Sequence, residues 1–243
     1  MNYWESRREV FGDDKFVQQM TLGEALCDDL VAVEACVLRP LPQLDESGRQ
    51  LLFSEPCRYT REGYTAESMV RSAVWPIIQY VHGCDLVHVC LRYISHSMEF
   101  LVLQLRAVWY VFEVMAQENK DMNSSFVLVE LAKDITIWDY DPRLHDRIIY
   151  FDKACWPVKC IASHICCAPS IFLKIIKPII NALMGKRNRA RQLLHDVPES
   201  QLLDVLSDYG IHKEMLPPEM GGTVELDQAE WIAKRRAAEL MEI

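Results

Sequence analysis

The sequence predicts an α/β protein built on a mixed, largely parallel β-sheet flanked by helices. Three observations carry this. Short apolar, β-branched runs alternate with stretches of helical periodicity. Prolines punctuate the boundaries. Half of the 243 residues are hydrophobic and a quarter charged, enough for a substantial core without long disorder.

Residues 1–26 read as helix and loop, with Trp4, Val10 and Phe11 as apolar anchors. In "VLRPLPQLDESGRQLLF", Asp45 and Gly48 bracket a four-residue turn, Asp being favoured at its first position and Gly at its fourth. Leu38–Leu44 and Gln50–Phe53 are the strands on either side. The run Phe126 to Val129 is a buried strand. A helix is expected from Asp141-Pro142 to about Ala154, capped by Asp141 and ended by Pro157. "PVKCIASHICCAP" is the next strand. It is followed by a helix over Ser170–Met184, a loop at Gly185, a strand near Gln192–Leu194 and a helix over Ser200–Tyr209. A last amphipathic helix occupies about Asp227 to Glu242.

Composition excludes several functions. The net charge of −9 argues against nonspecific nucleic-acid binding. The nine cysteines form no CxxC pair, which predicts reduced thiols and a cytoplasmic setting and not a disulfide scaffold. The opening "MNYWESRREVFGDDK" is too charged for a secretory signal. No uncharged apolar run reaches the length that spans a bilayer. There is no GxGxxG or GxxxxGK loop for a nucleotide. His164 beside Cys166-Cys167 could suggest nucleophilic catalysis. Strand alternation keeps His164 and Cys166 on one face and Cys167 on the other, so a core histidine among small thiols is expected. Asp139 and Asp141 are turn and cap residues. No catalytic group, cofactor or metal ligand is predicted.

The order of these motifs resembles the CRAL-TRIO lipid-binding domain of phosphatidylinositol-transfer and tocopherol- or retinal-binding proteins. "LPQLDESGRQLLF" is similar to the first hairpin of that family. "SHICCAPSIFLKIIKPIINALMGKRNRAR" is similar to its strand, proline, long apolar helix and basic lead into the next strand. "LPPEMGGTVE" (Leu216 to Glu225) is similar to its closing Leu-Pro-x-x-Gly-Gly signature. The resemblance spans about 36–226 and implies a lipid-binding domain over 27–226. It would be preceded by a remnant of a helical domain over 1–26 and followed by the helix of 227–243. It also implies a hydrophobic lipid cavity over the sheet, closed by a movable helix.

The Ser170–Met184 helix is the candidate gate. Its polar residues Ser170, Lys174, Lys177 and Asn181 step by four, three and four, one narrow stripe. The rest is apolar, including Phe172, Ile175, Ile176, Ile179, Ile180 and Leu183, so most of its circumference needs cover. A core helix satisfies that need, and so does a lid over a lipid tail. The resemblance implies the lid, with Val127, Ile161 and Ile165 on the strands lining the same cavity. Each methylene enclosed stabilises the complex by roughly 0.8 kcal/mol, so about a dozen suffice to hold a lipid in water.

Lys186, Arg187, Arg189 and Arg191 follow the helix. With Lys174 and Lys177 they are either a solvated basic turn or a surface for anionic headgroups, worth about 1 kcal/mol per cation. The resemblance puts Arg191 opposite the phosphate of a bound phosphoinositide, where an Arg fork fits the oxygens. Phosphatidylinositol-binding members carry a hydroxyl residue where this chain has Val127, leaving Ser125 as the matching hydroxyl. They also carry a glutamate after Tyr-Pro where Val158 follows Trp156-Pro157. The ligand implied is a phospholipid, a phosphoinositide, or a less polar sterol-like or isoprenoid-like molecule. Its carrier would be a monomer that rests transiently on membranes.

Residues 72–106 read as an insertion between the near-repeats Arg71-Ser-Ala-Val-Trp and Arg106-Ala-Val-Trp. Asp85, His88, Arg92, His96 and Glu99 form a helical polar stripe within it. It is either an amphipathic helix or translated intron. His82, Cys84, His88, Cys90 and His96 do not share one helical face, which argues against a metal site. If the insertion impairs access, the alternative function is a scaffold or protein-interaction domain that keeps the fold without exchanging ligand.

Overall fold

The computed structural model describes residues 3–35, 38–55, 86–118, 125–133, 147–152, 155–167, 178 and 186–241, with 86–101 as backbone alone. Helices α1 (Tyr3–Lys15) and α2 (Leu30–Ala35) lead into strands β1 (Leu38–Leu44) and β2 (Gln50–Ser54). Helix α3 (Leu86–Glu118) precedes β3 (Ser125–Leu131) and β4 (Lys159–Cys167). Helix α4 (Lys186–Arg191) runs into β5 (Gln192–Asp196), followed by α5 (Glu199–Ser207), two 3-10 turns and α6 (Gln228–Met241).

The five strands lie in the order β1-β2-β3-β4-β5. β1 is antiparallel to β2, and every later pair is parallel. The predicted hairpin forms because Asp45 organises its turn. Its carboxylate accepts hydrogen bonds from the backbone N–H groups of Ser47 and Arg49 at 2.9 and 2.8 Å. Gly48 supplies the positive φ of 74°. Pro40 and Pro42 are tolerated because β1 is an edge strand, with one side free of ladder bonds.

Helix α3 is continuous from Leu86 to Glu118, so the boundary expected at Arg106 is not a break in the helix. Leu105 and Gln104, just before that boundary, are buried. Arg106 itself donates to the Val10 carbonyl at 2.9 Å and pairs with the buried Asp29 at 3.1 Å, tying α1 to α3. The polar stripe Asp85–Glu99 and the candidate ligands within it lie outside the residues whose side chains are described.

Val10 and Phe11 are buried anchors of α1, as expected. Trp4 is a correction: it is 55% exposed, because its neighbour Tyr3 takes the place against Trp109. The expected helix at 142–154 is described over 147–152, where it is helical. Phe151 from that stretch reaches Trp109 with ring centroids 5.6 Å apart.

The closing signature has a steric reason. Leu216 is fully buried, and its carbonyl accepts from the Val224 N–H at 2.9 Å. A Cβ on Gly222 would sit 1.9 Å from that carbonyl oxygen, so the turn closes over a residue with no side chain. Gly221 before it takes a positive φ of 79°.

Candidate functional site

The two faces of the sheet differ. Under α5, Leu51, Phe53, Val127, Val129 and Cys166 pack solidly against Leu202, Leu206, Ile211, Leu216 and Met220. Several polar groups on this face have partners. Arg39 pairs with Glu55 and Glu219 at 3.4 and 3.3 Å. His164 and His195 share a hydrogen bond of 2.9 Å, with Tyr209 against both rings. Burial, then the neighbouring His195, lowers the His164 pKa to about 4. The expectation of a core histidine among thiols holds, and its partner His195 was not foreseen.

The opposite face carries α3. There Val108, Val111, Phe112 and Met115 cover Leu52 and Phe126, near the amino ends of β3 and β4. Trp156 closes that end, 4.4 Å from Phe112 between ring centroids. Beyond that end of the α3 face several described residues are only partly covered. Leu128, Glu130, Ser163, Ile165 and Leu194 are all half-buried. This half-covered patch is the candidate site.

The structure separates the strand residues expected to line one cavity. Ile165 pairs with Glu130 and Leu194, on the α3 face. Val127 is fully buried in the α5-side core, and Ile161 packs on that core because the β3–β4 register shifts beside it. Residues on opposite faces of a sheet cannot line one pocket, so Val127 and Ile161 do not share one with Ile165. A single-residue bulge puts Ile161 and Ile165 on opposite faces although they are four residues apart in one strand.

The expected gate residues Phe172, Ile175, Ile176, Ile179, Ile180 and Leu183, with Lys174 and Lys177, lie outside the described residues. The basic cluster forms α4. Lys186 and Arg189 are exposed, and the side chain of Arg187 is not among those described. Arg191 is half-buried and turns back to Asp152 at 3.7 Å, a carboxylate partner where a ligand phosphate had been expected. That partner comes from the 147–152 helix, and no local pattern in the sequence announces it.

Glu130 is the functional candidate that sequence reasoning missed. Burial alone pushes its carboxyl up to about 7. The signal was a lone glutamate in an apolar strand, at the alternation phase opposite to Val129. Burial pushes the thiols of Cys160 and Cys166 up to about 12, which disarms them as nucleophiles. Among the described residues no three His, Cys, Asp or Glu side chains converge as a metal site, and no helix is long and apolar enough to cross a membrane.

A model of the CRAL/TRIO domain matches residues 36–222. No curated protein matches the chain. Among solved structures it is similar to the crystal structure of Sfh5, at 9% identity and a TM-score of 0.40, over 99% of this chain and 81% of that one.

Proposed function

The chain belongs to the CRAL/TRIO domain family, and from that premise we propose that it carries a hydrophobic lipid over the α3 face of its sheet and transfers or presents it at membranes. The observation that supports this reading is the contrast between the faces. The α5 face holds the larger buried cluster, while the α3 face leaves Leu128, Ile165 and Leu194 half-covered.

The connection 168–185 joins parallel β4 to β5. We assign the gate to its apolar residues, with Ile176 and Ile180 touching the lipid tail. When the gate opens at a bilayer, membrane acyl chains cover the apolar surface that the departing ligand leaves. The exposed cations Lys186 and Arg189 on α4 would meet anionic headgroups on the cytoplasmic side. The role is carriage, not catalysis.

Lipid extraction of the purified protein followed by mass spectrometry tests the proposal. A stoichiometric lipid is expected, and transfer between vesicles should fall at least about tenfold in Ile176→Asp, since a charge in the apolar site costs several kcal/mol. A second reading is a scaffold that keeps the fold and exchanges nothing. The engagement of Arg191 by Asp152 favours it. An empty protein without transfer activity would decide for the scaffold.

A further inference from the structure

Arg191 is the last residue of α4, and it behaves unlike the cations before it. Lys186 and Arg189 are exposed, whereas the Arg191 guanidinium turns inward to the Asp152 carboxylate at 3.7 Å. The backbone of Arg191 is set by the sheet, because β5 starts at the next residue and Gln192 pairs with Ser163 of β4. Asp152 is fixed just as firmly from its own side. Its neighbour Phe151 is buried against Trp109. The Phe151 carbonyl also accepts from the N–H groups of Cys155 and Trp156 at 3.0 and 3.2 Å.

The two charges meet over the start of β4. After burial, Asp152 raises the pKa of the Cys160 thiol there and Arg191 lowers it. An exposed ion pair at this separation is worth little, but these side chains are only 23% and 13% exposed, so water and salt screen them less. The contact is longer than a hydrogen bond. Asp152 therefore offsets the charge of Arg191 without taking up the two-pronged geometry that suits a guanidinium.

Left alone, a partly buried guanidinium at the end of a basic helix would take phosphate, whose oxygens match its fork. A phosphate arriving at Arg191 meets the fixed negative charge of Asp152 at nearly the same distance, and attraction and repulsion largely cancel. Lys186 and Arg189 have no such neighbour among the described residues. They respond to the negative charge of a surface and not to the shape of a headgroup.

We propose that Asp152 is a specificity-determining residue, which closes Arg191 to phosphomonoester groups and leaves α4 to sense surface charge alone. The proposal rests on the membrane-presenting part of the carrier reading above.

The test uses the full chain and phosphatidylcholine vesicles doped with phosphatidylserine or with phosphatidic acid, matched in zeta potential. The wild type should bind the two surfaces within about twofold of each other. Asp152→Asn should favour phosphatidic acid by about fivefold or more, the worth of one freed cation. Reading the ratio removes the general gain from one fewer negative charge. Adding Arg191→Gln to Asp152→Asn should restore the wild-type ratio, and Arg191→Gln alone should leave it unchanged. Inorganic phosphate at constant ionic strength is the soluble probe, and it should compete away the preference gained by Asp152→Asn. Asp152→Ser carries the same test if Asp152→Asn does not fold. A wild type that already prefers phosphatidic acid fivefold would overturn the proposal. So would an unchanged ratio in the Asp152 variants, or a gain that survives Arg191→Gln or inorganic phosphate. Each of those outcomes leaves lipid carriage and the exposed cations of α4 as they were. Failure of the wild type and every variant to bind either vesicle would remove the membrane role of α4, and this proposal with it.

Discussion

His164 and His195 stack with ring centroids 5.2 Å apart and planes 13° apart, beneath α5 and the turn that follows it. Tyr209 closes over them, Cys166 shares their face, and the Arg49 charge also disfavours protonation of His164. Burial therefore opposes protonation in the fold. His164 falls from 6.5 to about 4, so the unfolded chain takes up a proton first. The stability it contributes is complete above about pH 6.5 and is lost as pH falls toward 4. Glu130 has the opposite sign. Its carboxyl rises from 4.5 to about 7, so its contribution is complete below about pH 4.5 and is lost as pH rises through 7. The two slopes offset each other in the wild type, and single variants separate them. Urea titrations should show His164→Asn with less loss on the acid side, its amide replacing Nδ1 toward His195. Glu130→Gln should gain about 2 kcal/mol near pH 8. Parallel pH profiles for both variants and the wild type would contradict both assignments. At Gly222 the prediction is steric. Alanine there should cost about 2–4 kcal/mol in thermal unfolding, against less than about 0.5 for Gly23→Ala, where nothing lies within 4 Å of the added carbon.

Among the elements, α4 has two sides. Lys186 and Arg189 face solvent while Arg191 is held by Asp152. Only the solvent side can reach a membrane without breaking an ion pair. The Lys186→Glu, Arg189→Glu double variant should bind anionic vesicles at least about tenfold more weakly at low salt, from about 1 kcal/mol per cation removed. Arg191→Ala should leave vesicle binding nearly unchanged and lower the stability of the fold. Co-sedimentation measures the first and calorimetry the second. An unchanged double variant would deny α4 a membrane role. The α3 helix is the other element with a double duty. Its Val108, Phe112 and Met115 fix the sheet, and its Arg106 holds the N-terminal segment through Asp29.

For the molecule as a whole, the described ends of the chain are joined at one buried carboxylate. Glu239 of α6 accepts from the Leu22 N–H at 2.9 Å and from the Tyr110 hydroxyl at 2.6 Å. Burial and this hydrogen bond raise the Tyr110 pKa, which keeps the hydroxyl a donor. Arg235, one turn earlier, pairs with Glu118 at the end of α3 at 3.1 Å. Glu239→Ala leaves a buried N–H and a buried hydroxyl without their acceptor. It should cost about 2–4 kcal/mol and speed hydrogen exchange in α1, α6 and the segment between α1 and α2 together. Exchange confined to α6 would show that the ends are not coupled. The amphipathic pattern of 227–242 announced a helix and a buried face. It could not announce that the face carries a glutamate, because its partners lie 129 and 217 residues away.

The sequence by itself determined the class of fold, most element positions and the family. Hairpin, strands, Gly-Gly turn and terminal helix each follow from local rules of turn chemistry, alternation and periodicity, which act within a few residues. The tertiary structure decided which face each strand residue serves. A one-residue bulge in β4 put Ile161 with Val127, on the face opposite Ile165. Packing of the 147–152 helix brought Asp152 to Arg191, residues that look unrelated in the chain. Pairing of this kind depends on how separate segments meet, and no window of sequence contains both partners.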